Sequence, residues 1–244
     1  MLTFLSPLEE ECKTLRAYCE VDATVYLRPS CIWQGRLGPH GIVLARTGIG
    51  KAAMRAAATF CIERLGATEL VLLGFGGATA PGIHPGDLVI AASVIDGVAG
   101  HALGANGVAA RAADALRVAH DAHLAAQTGV VVTMPHLIPS SHEKAFLGTK
   151  YQADAVDMEG IALAEAAEAR GLPWLVVRAI IDTMELPLPA PLAAVHADGT
   201  TAYGAVLRHC LREPQVLAHL PRLHAAAVRA RERLTGFAKA WIAK

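Results

Sequence analysis

Two segments set carboxylates among apolar residues, where burial can move a carboxyl pKa toward neutrality. In Ala155-Val156-Asp157-Met158-Glu159-Gly160, Asp157 and Glu159 stand just before an Ala-rich stretch. In Arg178-Ala179-Ile180-Ile181-Asp182-Thr183, Asp182 stands at the carboxyl end of the most hydrophobic strand candidate in the chain. A carboxyl whose pKa is raised by burial suits a general acid. The residues leave plainer roles open as well. Asp157 and Glu159 fit negative charges at a helix N-terminus, favoured by the macrodipole, and Asp182 fits a strand-end cap or a partner of Arg178. The acidic run Glu9-Glu10-Glu11 fits a solvated first helical turn.

Two glycine-rich segments follow strand candidates. Thr47-Gly48-Ile49-Gly50-Lys51-Ala52-Ala53 matches a loose G-x-G-x-x-A fingerprint, but the next strand candidate ends in Leu72-Leu73-Gly74 without the acidic residue a dinucleotide site wants. It is not a P-loop, since Ala52 follows Lys51. A tight turn against a helix, or a turn lining another ligand, remains. Gly74-Phe75-Gly76-Gly77-Ala78 is read as a second turn, either bringing backbone amides to an anion or sugar, or forming a bulge or crossover with positive φ. The eleven histidines show no metal-ligand spacing; His120 and His123 lie at i, i+3 without a third ligand and suit a surface face.

These groups need a scaffold, and the chain has material for one. Of its 244 residues 53% are hydrophobic and 18% charged, too apolar for disorder and ample for a buried core. Lys+Arg and Asp+Glu number 22 each, which leaves no electrostatic footprint for nucleic acid. The five cysteines form no C-x-x-C pair and suit reduced, mostly buried thiols. No apolar run reaches a spanning length, and the amino terminus does not read as a signal peptide, so a cytoplasmic location is the default. Strand candidates are Leu2 to Leu5, Thr24 to Leu27, Gly41 to Ala45, Glu69 to Leu73, Leu88 to Ile95, Val130 to Thr133 and Trp174 to Ile181. Helices fit Leu8 to Cys19, Lys51 to Leu65, Val108 to Ala126, Glu159 to Arg170, and one or two from Gly199 to Ala243, broken near Pro214 and Pro221. The alternation predicts one α/β domain over residues 1–244, with its site on loops at strand ends.

In this order the segments Leu8 to Glu11, Thr47 to Lys51, the strand and glycines to Gly77 with Pro85-Gly86-Asp87-Leu88-Val89, Val156 to Glu159 and Arg178 to Asp182 resemble the purine nucleoside phosphorylase and nucleosidase superfamily, in particular its methylthioadenosine/S-adenosylhomocysteine nucleosidase branch. The resemblance implies a three-layer α/β/α sandwich around a mixed, partly barrel-like sheet, usually in a homo-oligomer, with no metal or other cofactor. It makes Asp182 the acid at purine N7, Glu159 the acceptor of the ribose hydroxyls with Met158 packed on the sugar, and Glu11 the activator of the attacking water. Ile49 falls near the 5′ side of the sugar, and His136-Leu137-Ile138 near the base. Asp157, Phe75, Gly76 and Arg178 complete the substrate-binding set.

Departures from the family pattern bear on the nucleophile. Where the phosphorylases use Arg and Ser or Thr to hold phosphate, the chain has Pro7, Leu72 and Phe75, which favours water. The nucleosidases usually carry Ser at Phe75, and Glu at Asp157. Within the superfamily, Val156 to Glu159, and Ile181-Asp182-Thr183 with the Leu/Pro-rich residues after it, look most like the hopanoid-associated phosphorylases, thought to take adenine from adenosylhopane. An apolar loop from Leu186 to Leu192 would admit a large 5′ substituent, or pack as an interface. The expected activity is therefore cleavage by water of the N-glycosidic bond of an adenine nucleoside with a bulky or apolar 5′ group, with a transient membrane-surface contact compatible with it. The alternatives are a methylthioadenosine/S-adenosylhomocysteine nucleosidase, a phosphorylase holding phosphate through amides at Gly48, Gly50, Gly74 and Gly76, or a nucleoside- or lipid-binding module in which Phe75 blocks the nucleophile.

Overall fold

The computed structural model describes residues 1–104, 107–185 and 220–244. Its sheet is built from β1 (Leu2–Ser6), β2 (Glu20–Leu27), β3 (Ser30–Leu37), β4 (His40–Arg46), β5 (Glu69–Ala78), β6 (Leu88–Asp96), β7 (Ala102–Leu103), β8 (Ala126–Thr133), β9 (Ala155–Asp157) and β10 (Trp174–Asp182). The helices are α1 (Glu9–Ala17), α2 (Lys51–Leu65), α3 (Val108–Asp121), α4 (Ser141–Tyr151), α5 (Gly160–Glu168) and α6 (Leu220–Ile242).

The strands run in the order β10-β6-β8-β9-β5-β1-β4-β3-β2, and a further pairing of β10 with β5 closes β5, β10, β6, β8 and β9 into a ring. Parallel pairs such as β1–β5 and β10–β5 mix with antiparallel ones such as β10–β6 and β5–β9, so the sheet is mixed and partly barrel-like. Its central strands read as continuous apolar runs because both faces are covered. Leu5, Leu70, Leu72 and Val176 point into one core with Met54 and Ala58 of α2 and Ile161 and Ala162 of α5. Phe4, Val71, Leu73, Leu175 and Val177 point the other way, onto Leu15 of α1, Ala115 of α3, and Leu234 and Phe237 of α6. That alternation along each strand makes the three-layer α/β/α sandwich. No helix among the described residues is long and apolar enough to cross a membrane.

Four differences from the sequence expectation have physical causes. Gly74-Phe75-Gly76-Gly77 is no turn: β5 runs straight through it, and none of the three glycines has positive φ. Helix α3 ends at Asp121 rather than Ala126, since His123 takes a left-handed φ of 56° that stops a helix, and β8 begins at once. Strand β3 was hidden in the mixed sequence Ser30 to Leu37. Helix α4 was hidden in a polar stretch with a glycine at 148, where Gly148 lies so close to Thr79 that a Cβ would sit 2.1 Å from its carbonyl oxygen. The Leu186 to Leu192 loop, and the part of the carboxyl-terminal helical region before residue 220, lie outside the described residues.

Candidate active site

Arg178, in the middle of β10, is fully buried although it is the longest cation in the chain's repertoire. It can be there because β5 gives it room. Arg178 pairs with Gly74 across the β5–β10 ladder, and a Cβ at Gly74 would lie 2.1 Å from Nη1; one at Gly76 would lie 3.1 Å from the Arg178 Cβ. The glycines of β5 serve close approach, not a turn.

Carboxylates from three other elements meet this guanidinium. Asp157, ending β9, accepts from Arg178 Nε at 2.8 Å and from Nη2 through the same Oδ2, which also accepts from the Gly160 amide at 2.9 Å. Its Oδ1 accepts from Thr133 Oγ1 at 2.6 Å, and that hydroxyl accepts from the Ile161 amide at 3.0 Å. These bonds tie Asp157 to Arg178 and to the start of α5. Glu159, at the N-cap of α5, accepts from Arg178 Nη2 at 3.2 Å and from the Gly50 amide at 2.8 Å. The Gly48–Gly50 turn thus serves a carboxylate, with Gly50 at a φ of 88°.

Glu11 is the buried member of its acidic run, on the inner face of α1. Its Oε2 accepts from the Leu8 amide at 2.6 Å, capping α1 as a third-position Glu does, and its Oε1 accepts from the Phe75 amide at 2.7 Å. Arg178 Nη1 donates to the Phe75 carbonyl at 3.3 Å, so one peptide of β5 bridges Glu11 and Arg178. Burial is the largest influence on Glu11 and carries its pKa to about 8, against the lowering effect of Phe75, Arg178 and Leu8. Burial likewise pushes Glu159 above the ordinary carboxyl range; Arg178 opposes that shift and Asp157 adds to it.

Asp182 lies four residues along β10 from Arg178, beyond a register irregularity, opposite Gly77 of β5. Its partner in this position is not Arg178 but Lys144 of α4, whose fully buried Nζ donates to Oδ2. A Cβ at Gly77 would lie 3.1 Å from Asp182 Oδ1 and 3.2 Å from Lys144 Cε. Neither Lys144 nor Thr133 stood out in the sequence, because each sits in a stretch whose polar residues match a surface helix or a strand end.

Glu11, Asp157, Glu159 and Arg178 therefore share one buried cluster, with the backbone of Gly50 and Phe75 in it and Asp182 further along the same strand. Phe75 takes part through its peptide, while its ring packs on the apolar cluster containing Cys12 and Leu73. Met158 and Ile49 are half-buried beside Glu159 and Gly50. His136 and Leu137 lie on an exposed loop between β8 and α4, and no bond described for them joins the cluster. Buried carboxylates of raised pKa around a fixed cation can move protons and stabilise a cationic intermediate.

A partly closed sheet in an α/β/α sandwich, with this acidic centre at the carboxyl ends of parallel strands, defines an enzyme of the nucleoside phosphorylase and nucleosidase class. The family model described as the phosphorylase superfamily matches residues 2–212, and the chain belongs to that superfamily. It is 31% identical to an aminodeoxyfutalosine nucleosidase of Campylobacter jejuni, over 59% of this chain and 68% of that protein. It is 30% identical to a 5′-methylthioadenosine/S-adenosylhomocysteine nucleosidase of Aeromonas salmonicida, over 73% of this chain and 84% of that one. Among solved structures, the 5′-methylthioadenosine/S-adenosylhomocysteine nucleosidase from Neisseria meningitidis in complex with methylthio-immucillin-A superposes with a TM-score of 0.74 at 20% identity, covering 98% of each chain.

Proposed function

We propose that the enzyme hydrolyses the N-glycosidic bond of an adenine nucleoside, with Glu11 activating water, Glu159 holding the ribose hydroxyls and Asp182 at N7 of the leaving base. The observation that carries this reading is the convergence of Glu11, Asp157 and Glu159 on the single guanidinium of Arg178. Glycosidic cleavage leaves positive charge on the ribosyl group, and a buried cluster rich in carboxyl groups favours that charge. The same field disfavours a phosphate dianion. Arg178 is already engaged by two carboxylates, the Gly48 amide donates to the Pro7 carbonyl at 3.1 Å and the Gly50 amide to Glu159. Two of the four amides that a phosphorylase reading would use are thus committed, which supports water as the nucleophile. The Phe75 ring is half-buried against the apolar cluster of Cys12 and Leu73, which weakens the motive for a binding module without catalysis.

For the 5′ group we favour a bulky apolar substituent, as on adenosylhopane, on the resemblance of the Val156 to Glu159 and Ile181 to Thr183 segments to hopanoid-associated phosphorylases. The identity to named methylthioadenosine/S-adenosylhomocysteine nucleosidases supports a second reading, with a small thioether there. A panel of 5′-substituted adenosines assayed for free adenine, with and without phosphate, separates them. We expect release without phosphate, fastest for the apolar substituents. A strict phosphate requirement would overturn hydrolysis, full activity of Asp182→Asn would remove Asp182 from the base, and preference for methylthioadenosine would select the second reading.

A further inference from the structure

We propose that the acid on the leaving-base side is the Lys144–Asp182 pair, with Lys144 as the positioning residue that holds Asp182 and stores the proton it delivers. The inference rests on the placement of Asp182 at the base under the proposed function. Helix α4 is held on either side of Lys144 by contacts with the chain just beyond β5 and β10. At its start Ser141 Oγ donates to the Met184 carbonyl at 2.6 Å, just beyond β10, and Gly148, one further turn along, is pressed on the Thr79 carbonyl at the end of β5. Residues 141, 144 and 148 share one helical face, so these two contacts aim Lys144 inward between the ends of β5 and β10. Its ammonium, with no exposed surface, then lies on Asp182 Oδ2 over Gly77, where any side chain would crowd both groups.

The contact of the buried Lys144 ammonium with Asp182 Oδ2 places a proton source directly behind the carboxyl group. In this arrangement the proton that reaches the base starts on Lys144 rather than on Asp182. When the C1′–N9 bond breaks, its electron pair passes to the purine ring and makes N7 basic. The Lys144 proton then passes through Asp182 to N7, leaving a neutral amine beside a carboxylate. Water adds to C1′ and its proton goes to Glu11. Return of that proton from Glu11 to Lys144 through solvent restores the enzyme, so the net change is nucleoside plus water to free base plus ribose product.

The test compares an adenine nucleoside with 4-nitrophenyl β-D-ribofuranoside, whose leaving group departs as a stable anion and needs no proton. In Lys144→Met and Lys144→Gln we expect kcat for adenine release to fall about 10²- to 10⁴-fold, with nitrophenol release changed less than about threefold. Gln keeps a hydrogen bond to Asp182 but has no proton to give, so a purely steric role predicts recovery in Gln and would overturn the proposal. Equal loss on both substrates would overturn it as well, as the mark of a structural lysine. Unchanged adenine release in the Lys144 variants beside a slow Asp182→Asn would sink Lys144 and leave Asp182 in place, whereas full activity in all variants would sink the base-side reading itself. Should the Lys144 variants not fold, the infrared difference between the wild type and Asp182→Asn at neutral pH decides: a carboxylate band is expected, and a protonated carboxyl band would overturn the proposal.

Discussion

The α-carbon of Gly74 and the guanidinium of Arg178 are neighbours across the β5–β10 ladder, so close that a methyl group on Gly74 would lie 2.1 Å from Nη1 and 3.2 Å from Glu11 Oε1. The arginine cannot swing away, because Asp157, Glu159 and the Phe75 carbonyl hold it. Gly74→Ala should therefore displace the guanidinium at a cost of roughly 1–3 kcal/mol, the range for overpacking a close-packed site. Adenine release should fall at least about tenfold, since a misplacement of about 1 Å can cost 10²-fold. Chemical denaturation and initial rates check both, and a variant with wild-type rate would show that Arg178 need not sit there.

Arg178→Met tests the cluster from its other side. The substitution keeps an apolar stem and removes the charge, so it leaves Asp157 and Glu159 buried together without their cation. Breaking a buried pair by deleting one partner costs about 3–5 kcal/mol. Urea unfolding should show a loss of that order, and the double variant Arg178→Met with Asp157→Asn should recover part of it. A loss below about 1 kcal/mol in the single variant would mean that the carboxylates take up protons or water without penalty.

Much of this centre was legible in the sequence, and the reasons are local. Asp157, Glu159, Arg178 and Asp182 stood out because charged residues interrupt apolar runs, and Glu11 because the resemblance picked it from three consecutive acids. Glu9 and Glu10 instead meet Arg46 and Lys13 near the surface, a choice made by which side of α1 faces β5. The glycines after Leu73 suggest a turn in the sequence but lie in β5, since glycine permits both a turn and a crowded strand and only the partner strand decides. Lys144 was invisible, because its significance arises from a contact between residues 38 apart in the chain.

Gly50 joins backbone strain to ligand geometry. At φ 88° and ψ 167° it occupies a region open essentially to glycine alone, and there its amide reaches Glu159. No atom would obstruct a Cβ, so Gly50→Ala isolates the backbone effect. We expect a cost of about 1–3 kcal/mol and a weakened hold on Glu159, read as a raised KM for nucleosides bearing a 2′-hydroxyl and a smaller change for their 2′-deoxy counterparts. Equal changes in both would place Glu159 away from the sugar.

The pH dependence of the reaction follows from Glu11. A group that takes a proton from water must be ionised first, and burial has carried this carboxyl from its ordinary value near 4.5 to about 8. Below about 8 the ionised fraction falls about tenfold per pH unit, so the rate at saturating substrate should rise with pH through the neutral range and level off above about 8. A carboxyl with an ordinary pKa would give a flat profile from pH 6 to 9, and such a profile would remove Glu11 from the base role. Glu11→Gln should lose about 10²- to 10⁴-fold in kcat and the rising limb with it. Because both Glu11 oxygens accept backbone amides, the Gln amide nitrogen must face either Leu8 or Phe75, donor against donor. Folding stability must therefore be measured beside the rate. The missing limb, rather than the slower rate, is the part of the result that a merely loosened α1 would not reproduce.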